Sequence, residues 1–397
     1  MNTSRLLLTL PRPPAAPRST ATVAPEWAAA RRVLAVRLDN LGDLLMTTPA
    51  LAALRDSLPD AHIDLLTSPA AAAAAAHLDL IDQVRPYAAA WVQAGADAPT
   101  GPGHDEATLV RQLAAGGYDA AVIFTVYTQS ALPAALLCRM AGIPLRLAHS
   151  RENPYGLLSH WVPDPDATAG GAPRHEVVRQ LALLATVGLR TDDDRLRFDA
   201  RPDDRRRIAA LLAQAGIGPH QPYAVLHPGA SAASRRWPAP HFGAVAGALA
   251  RHGYAVLLAG GPDEQPLCDA ALQAAGHAVG AAPVRTLAGR LSLGELAALI
   301  EGAGVLVGNN SAPAHLAAAL GTPLVVLYAL TNPQHTPWRA HCRVLSHDVP
   351  CRGCLKSRCP QQHHDCLRRI EPQQVVDAAM ALLQPAGAAA PRTMVPA

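Results

Sequence analysis

Near-continuous apolar runs recur along this chain, and each is followed by a stretch of helical periodicity. "RRVLAVRL" (Arg31 to Leu38), "HIDLLT" (His62 to Thr67) and "AAVIFT" (Ala120 to Thr125) stand in the first half. "YAVLHPG" (Tyr223 to Gly229), "YAVLLAGG" (Tyr254 to Gly261), "GVLVGN" (Gly304 to Asn309) and "PLVVLYA" (Pro323 to Ala329) stand in the second. A strand with one wet face alternates polar and apolar residues, whereas these do not. They fit parallel sheets covered by helices on both faces, and so an α/β, doubly wound fold. A length of 397 residues exceeds what one core usually serves, so two domains are expected. The helix of "HEVVRQLALLATVGL" (His175 to Leu189) runs into the charged, breaker-rich "RTDDDRLRFDARPDDRRR", which marks the boundary. The expected division is a disordered tail over 1–30, a first domain over 31–190, a linker over 191–205, a second domain over 206–385 and a disordered tail over 386–397.

The charge is +3, with 34 basic and 31 acidic side chains, which is no footprint for bulk nucleic-acid binding. No apolar run reaches the roughly 18–20 residues of a membrane span. "MNTSRLLLTL" lacks the core of a signal peptide, so a cytoplasmic location is expected. The alanine run "SPAAAAAAAHL" (Ser68 to Leu78) reads as a helix, alanine being the best helix former.

Chemistry-bearing residues gather where strands hand over to helices. In "RLDNLGDLLMTTPAL" (Arg37 to Leu51), Gly42 permits a tight turn and Asp43 stands at or near a helix start, where a plain cap is the simplest role. Pro49 predicts a kink, or a helix that begins only near Thr47 and Thr48. One glycine here excludes the three-glycine dinucleotide fingerprint. "HPGASAASRRWPAPHF" (His227 to Phe242) supplies hydroxyls at Ser231 and Ser234 and positive charge at Arg235 and Arg236 before a helix, which is what a phosphate needs. In "VLVGNNSAPAHLAAALGTP" (Val305 to Pro323), Ser311 is a candidate N-cap, Pro313 suits a first turn and Gly321 a stop. Capping does not account for Asn309, Asn310 and His315 together. Glu264, in "AGGPDEQP", is placed to hold a ribose hydroxyl.

These blocks, with "LAGRLSLGELAALIEGAGVLVGNNSAPAHLAAALGTPLVVLY" and "CLRRIEPQQVVDA", resemble glycosyltransferase family 9, the ADP-heptose:lipopolysaccharide heptosyltransferases, in the family's order over residues 32–383. The resemblance implies the GT-B architecture, two Rossmann-like domains facing a central cleft. It also implies an inverting, metal-independent transfer from a nucleotide-diphosphate sugar. Asp43 falls on the family's candidate base. Arg235 falls where the family carries a lysine, two positions before the tryptophan of its K-x-W-P block. Ser231 matches a phosphate-contacting hydroxyl, Glu264 the ribose-holding acid and Leu291 an apolar position beside the base. The family's D-[TS]-G-x-x-H block falls on Asn310, Ser311, Ala312 and His315. Two positions depart from it: Asn310 replaces aspartate and Ala312 replaces glycine.

Four of the seven cysteines lie together in "CRGCLKSRCPQQHHDC", as Cys351, Cys354, Cys359 and Cys366. The spacing suits a structural zinc or iron–sulfur site, free thiols or a disulfide pair, and the proposed transfer requires none of them. The expected activity is heptosyl transfer from ADP-heptose to a lipid-linked lipopolysaccharide core or related surface glycan, with peripheral contact at the inner face of the membrane. Alternatives are another nucleotide-sugar donor, an epimerase of the same architecture, and a non-catalytic nucleotide-sugar-binding or scaffold member.

Overall fold

A computed structural model describes residues 22–92, 105–164, 174–276, 281–331 and 333–383. The described chain forms two compact units. One holds residues 22–199 together with Pro333–Trp338; the other holds 200–331 and 339–383.

The first unit carries strands β1 (Arg32–Arg37), β2 (His62–Thr67), β3 (Gln83–Pro86), β4 (Ala120–Ile123), β5 (Leu145–Ser150) and β6 (His160–Pro163). They form a six-stranded sheet in the order β3-β2-β1-β4-β5-β6, with every pairing parallel. The second unit carries β7 (Tyr223–His227), β8 (Ala255–Leu258), β9 (Val284–Thr286), β10 (Val305–Asn309), β11 (Leu324–Leu327) and β12 (Cys342–Leu345). Their order is β12-β11-β10-β7-β8-β9, again parallel throughout. Each unit therefore has the Rossmann-like order 3-2-1-4-5-6. In each the chain reverses direction across the sheet beside its first strand, between β1 and β4 and between β7 and β10. The uniformly apolar strands are uniformly buried: every residue of β4, β7, β8, β10 and β11 lies in the interior.

Several expectations change. Part of the expected N-terminal tail is folded: Pro25–Ala28 is helical and Trp27 is fully buried, its indole Nε1 donating to His160 Nε2 at 3.4 Å. One large aromatic supplies the buried surface that the small residues around it cannot. Residues 1–21 and the C-terminal tail lie outside the described residues. The linker is shorter than expected, because the helix Pro202–Gln214 starts inside it with Pro202 in its first turn. Before that helix the chain is tied down, with Phe198 stacked on His77 at 4.7 Å and Arg197 N donating to Thr48 Oγ1 at 2.9 Å.

The helix Leu41–Ser57 does not begin near Thr47; it runs through Pro49, and Gly42 sits in its first turn rather than in a tight turn. Proline cannot donate to the carbonyl four residues back, which here is Leu45. The Thr48 hydroxyl donates to that oxygen instead, at 2.7 Å, so the lost bond is replaced from within the helix. No described helix is long and apolar enough to cross a membrane.

Candidate functional site

In the second unit the strand order itself assembles the predicted donor residues. β7 neighbours both β8 and β10, and His227 pairs with Gly308, so the loops after these strands open on one edge. Asn309, fully buried, ties two of them together. Its side-chain Nδ2 donates to the carbonyls of Pro228 and Gly229 at 2.8 and 3.3 Å, and its Oδ1 accepts from Trp237 N at 3.0 Å. The polar residue that capping left unexplained is thus a brace between seams.

Ser311 occupies the N-cap position of the helix Ala312–Leu320, but its hydroxyl does not cap; it turns back toward the Asn309 carbonyl at 3.4 Å. The first amides of that helix therefore lack the usual side-chain acceptor. Asn310 is buried and its amide donates to Leu327 O, carrying the β10–β11 ladder one residue beyond the strand. His315 is buried one turn into the helix, and Gly321 closes it in the left-handed region at φ 77°. Arg235 ends a 3-10 turn, half-buried, and its guanidinium has no hydrogen bond or ion pair among the described residues. Ser231 is exposed on the same loop, and Leu291 is half-buried just before the helix Leu293–Glu301. Ser234 instead braces the loop, donating to Lys356 O at 2.8 Å.

Glu264 accepts from Gly261 N at 2.9 Å and stands 3.4 Å from His227 Nε2. Burial holds the His227 pKa below its ordinary value despite the neighbouring carboxylate, so the ring is neutral at pH 7. The Glu264 carboxylate occupies the space beside Gly229: a Cβ there would lie 2.5 Å or less from its atoms. The obstacle is the far end of a side chain, so Gly229→Ala is expected to fold with little change in Tm. If Glu264 holds the ribose as the family resemblance implies, the displaced carboxylate weakens binding of a nucleotide sugar about tenfold, the scale of one hydrogen bond to a charged group. Isothermal titration on the variant checks this.

In the first unit Asp43 sits at the β1–β4 reversal, in the first turn of the helix Leu41–Ser57. It does act as a cap, since its Oδ2 accepts from Asn40 N at 3.3 Å. It also belongs to a buried charge cluster that sequence reasoning missed. Arg37, fully buried at the end of β1, places its guanidinium 3.0 Å from Asp39, 3.7 Å from Asp43 and 3.1 Å from Glu176. Burial opposes the charge on Arg37, but Asp39, Glu176 and Asp43 outweigh it and raise its pKa. Burial raises Asp39 to about 6 against the pull of Arg37. Glu176 is driven up by burial and brought below its usual value by Arg37 and Arg179. Arg179 in turn pairs with Asp164 at 2.7 Å, and both Arg179 and Gln180 donate to Thr125 O, just past β4. The signal that could have found Glu176 is an Arg at i+3 on an otherwise apolar helix, whose sequence served above only to mark the domain boundary.

The four clustered cysteines line one cavity with His363 and His364, and all seven cysteines are free. Burial raises the Cys366 pKa, with Cys359, Cys351 and Cys354 adding to it. Cys351 Sγ lies 3.7 Å from His363 Nε2. Among the described residues, no three histidine, cysteine or carboxylate side chains are gathered closely enough to hold a metal ion. The fold brings these four thiols to one cavity.

Each unit is thus a parallel Rossmann-like sheet with polar residues at its reversal point, which defines a two-unit α/β protein. The family model for glycosyltransferase family 9 (heptosyltransferase) matches residues 107–364, and the chain belongs to this family. It is a glycosyltransferase. Lipopolysaccharide heptosyltransferase 3 of Escherichia coli is 31% identical over 307 residues, covering 75% of this chain and 83% of that protein. Among solved structures, E. coli ADP-heptose lipopolysaccharide heptosyltransferase II is 25% identical with TM-score 0.69, covering 89% of this chain and 98% of that one. The family 9 glycosyltransferase of Veillonella parvula is 22% identical with TM-score 0.73, covering 89% and 97%.

Proposed function

We propose that this enzyme transfers heptose from ADP-heptose to a lipopolysaccharide-core acceptor with inversion at the anomeric carbon. The observation that carries the mechanism is Asp43, a carboxylate at the sheet's reversal point, held beside buried Arg37 and still 13% exposed. This reading takes the GT-B architecture that the family resemblance implies. Asp43 takes the proton of the acceptor hydroxyl as that oxygen attacks from the side opposite the leaving diphosphate. The diphosphate departs with its charge met by Arg235 and by the uncapped amides of Ala312–Leu320, so the transfer requires no metal. Ser231, Asn310, Ser311, Ala312 and His315 line the diphosphate end. Glu264 holds the ribose and Leu291 flanks the base. The similarity to lipopolysaccharide heptosyltransferase 3 favours the heptose donor and the core acceptor. A lipid-linked acceptor would bring the enzyme to the inner face of the cytoplasmic membrane.

Asn310 and Ala312, in place of the family's aspartate and glycine, favour a second reading in which the donor is another nucleotide sugar. One panel decides between them: ADP-heptose, ADP-glucose and uridine-diphosphate sugars, each assayed for diphosphate release with a core acceptor, with and without EDTA. ADP-heptose is expected to turn over at least tenfold faster than the others, with no loss in EDTA. Turnover of a different donor alone would establish the second reading. Donor binding without turnover would instead identify a non-catalytic member.

A further inference from the structure

Six residues that follow β11 in sequence, Pro333–Trp338, belong to the first unit and bring it a histidine that no motif announces. The segment opens with a 3-10 turn, Pro333–His335, and Gln334, His335, Thr336 and Trp338 are all buried. It is stapled in place. His175 Nε2 meets the Thr336 carbonyl at 2.8 Å, so the neutral ring donates there. The His175 ring lies 4.5 Å from that of Trp338, whose Nε1 donates to Asp194 O at 2.8 Å. So fixed, His335 places Nδ1 3.8 Å from Asp43 Oδ1 and Nε2 4.0 Å from Glu176 Oε2. Arg37 spans the same two carboxylates, at 3.7 and 3.1 Å. Arg37 and His335 thus both stand between Asp43 and Glu176, and Arg37 also meets Asp39 at 3.0 Å. Arg37 is always charged, whereas an imidazole changes charge within the working pH range.

We propose that His335 is a positioning residue for Asp43, its imidazolium holding that carboxylate in place and ionised. The inference rests on the reading of Asp43 as the base. Arg37 and Asp39 come from β1 and its end. From the helix Glu176–Ala185, Glu176 and Arg179 are paired with Arg37 and Asp164. His175 is held to about 4 chiefly by burial and stays neutral above that, so it does not supply the titration. An opposite charge within 4–6 Å lowers a carboxyl pKa by roughly 1–3 units, and the partial exposure of both side chains argues for the low end.

His335→Gln keeps the volume and removes the charge. Expected is a rise of about one unit in the acidic limb of the kcat/KM–pH profile, a roughly tenfold loss below that limb, and a plateau within about threefold of the wild type. KM for the donor should be unchanged. A uniform loss across pH with an unmoved limb would overturn the proposal and leave a packing role only. Carbon-detected NMR titration of the Asp43 carboxyl, in wild type and His335→Gln, reads the same coupling without turnover. An unchanged Asp43 titration would overturn the proposal even if transfer is normal. A shifted titration in a protein whose Asp43→Asn variant remains fully active would instead retain the coupling and remove Asp43 as the base.

Discussion

Asp43→Asn lowers kcat/KM about a thousandfold, within the usual 10²–10⁴ contribution of a general base, while nucleotide-sugar affinity stays within about twofold. The choice of asparagine matters because Asp43 has two roles. Its Oδ2 accepts from Asn40 N at the start of the helix, and an amide oxygen can still do so. Alanine would remove the cap as well and add about 1 kcal/mol of destabilisation, mixing the two effects. Steady-state transfer kinetics and donor titration on Asp43→Asn separate them. Full activity in this variant would refute the assignment, because the other carboxylates on Arg37, Asp39 and Glu176, are only 4% and 1% exposed.

Arg37→Met is expected to cost roughly 3–5 kcal/mol of stability at neutral pH, measured by urea unfolding. Arg37 is fully buried and is the common partner of Asp39, Asp43 and Glu176. Methionine fills much of the volume but leaves those carboxylates facing one another without the cation they share. The pH dependence follows from the shifts. Asp39 is raised in the folded state to about 6, so its contribution is most favourable below its unfolded value and is lost as pH rises through 6. Glu176 is lowered, chiefly because Arg37 and Arg179 outweigh its burial, so its contribution is present above its unfolded value and lost as pH falls. Removing Arg37 takes away the main counterweight on Glu176 and raises both carboxyls. The variant should therefore recover part of the deficit between about pH 7 and pH 5, where the raised carboxyls protonate in the folded state. A deficit below 1 kcal/mol at pH 7 would mean that the cluster relaxes or hydrates when the arginine is removed.

What the chain could announce alone was local. Uninterrupted apolar runs such as "YAVLHPG" and "GVLVGN" are legible because a parallel strand buried on both faces leaves no polar alternation, and these runs became β7 and β10. Shorter or mixed strands, such as β3 with its largely exposed residues and β6 with its alternating exposure, carried no such pattern and were missed. Pro49 misled for a related reason. A proline removes one backbone bond, but whether that ends a helix depends on a replacement donor, and the Thr48 hydroxyl supplies it.

The sequence by itself determined the α/β class and the strand-end location of the polar residues, and it nominated Asp43, Arg235, Glu264 and the Asn310–His315 block as candidates. Motifs can do that because a strand, its turn and the next helix start are contiguous. Only the tertiary structure decided which of those loops meet. The parallel order puts β7 between β8 and β10, so Asn309 braces a loop some 80 residues earlier, at Pro228. It likewise gathered Arg37, Glu176 and His335 around Asp43, from three places in the chain that share no local pattern. Charges buried in an apolar interior must find partners wherever the fold brings them, and that requirement is invisible until the chain has folded.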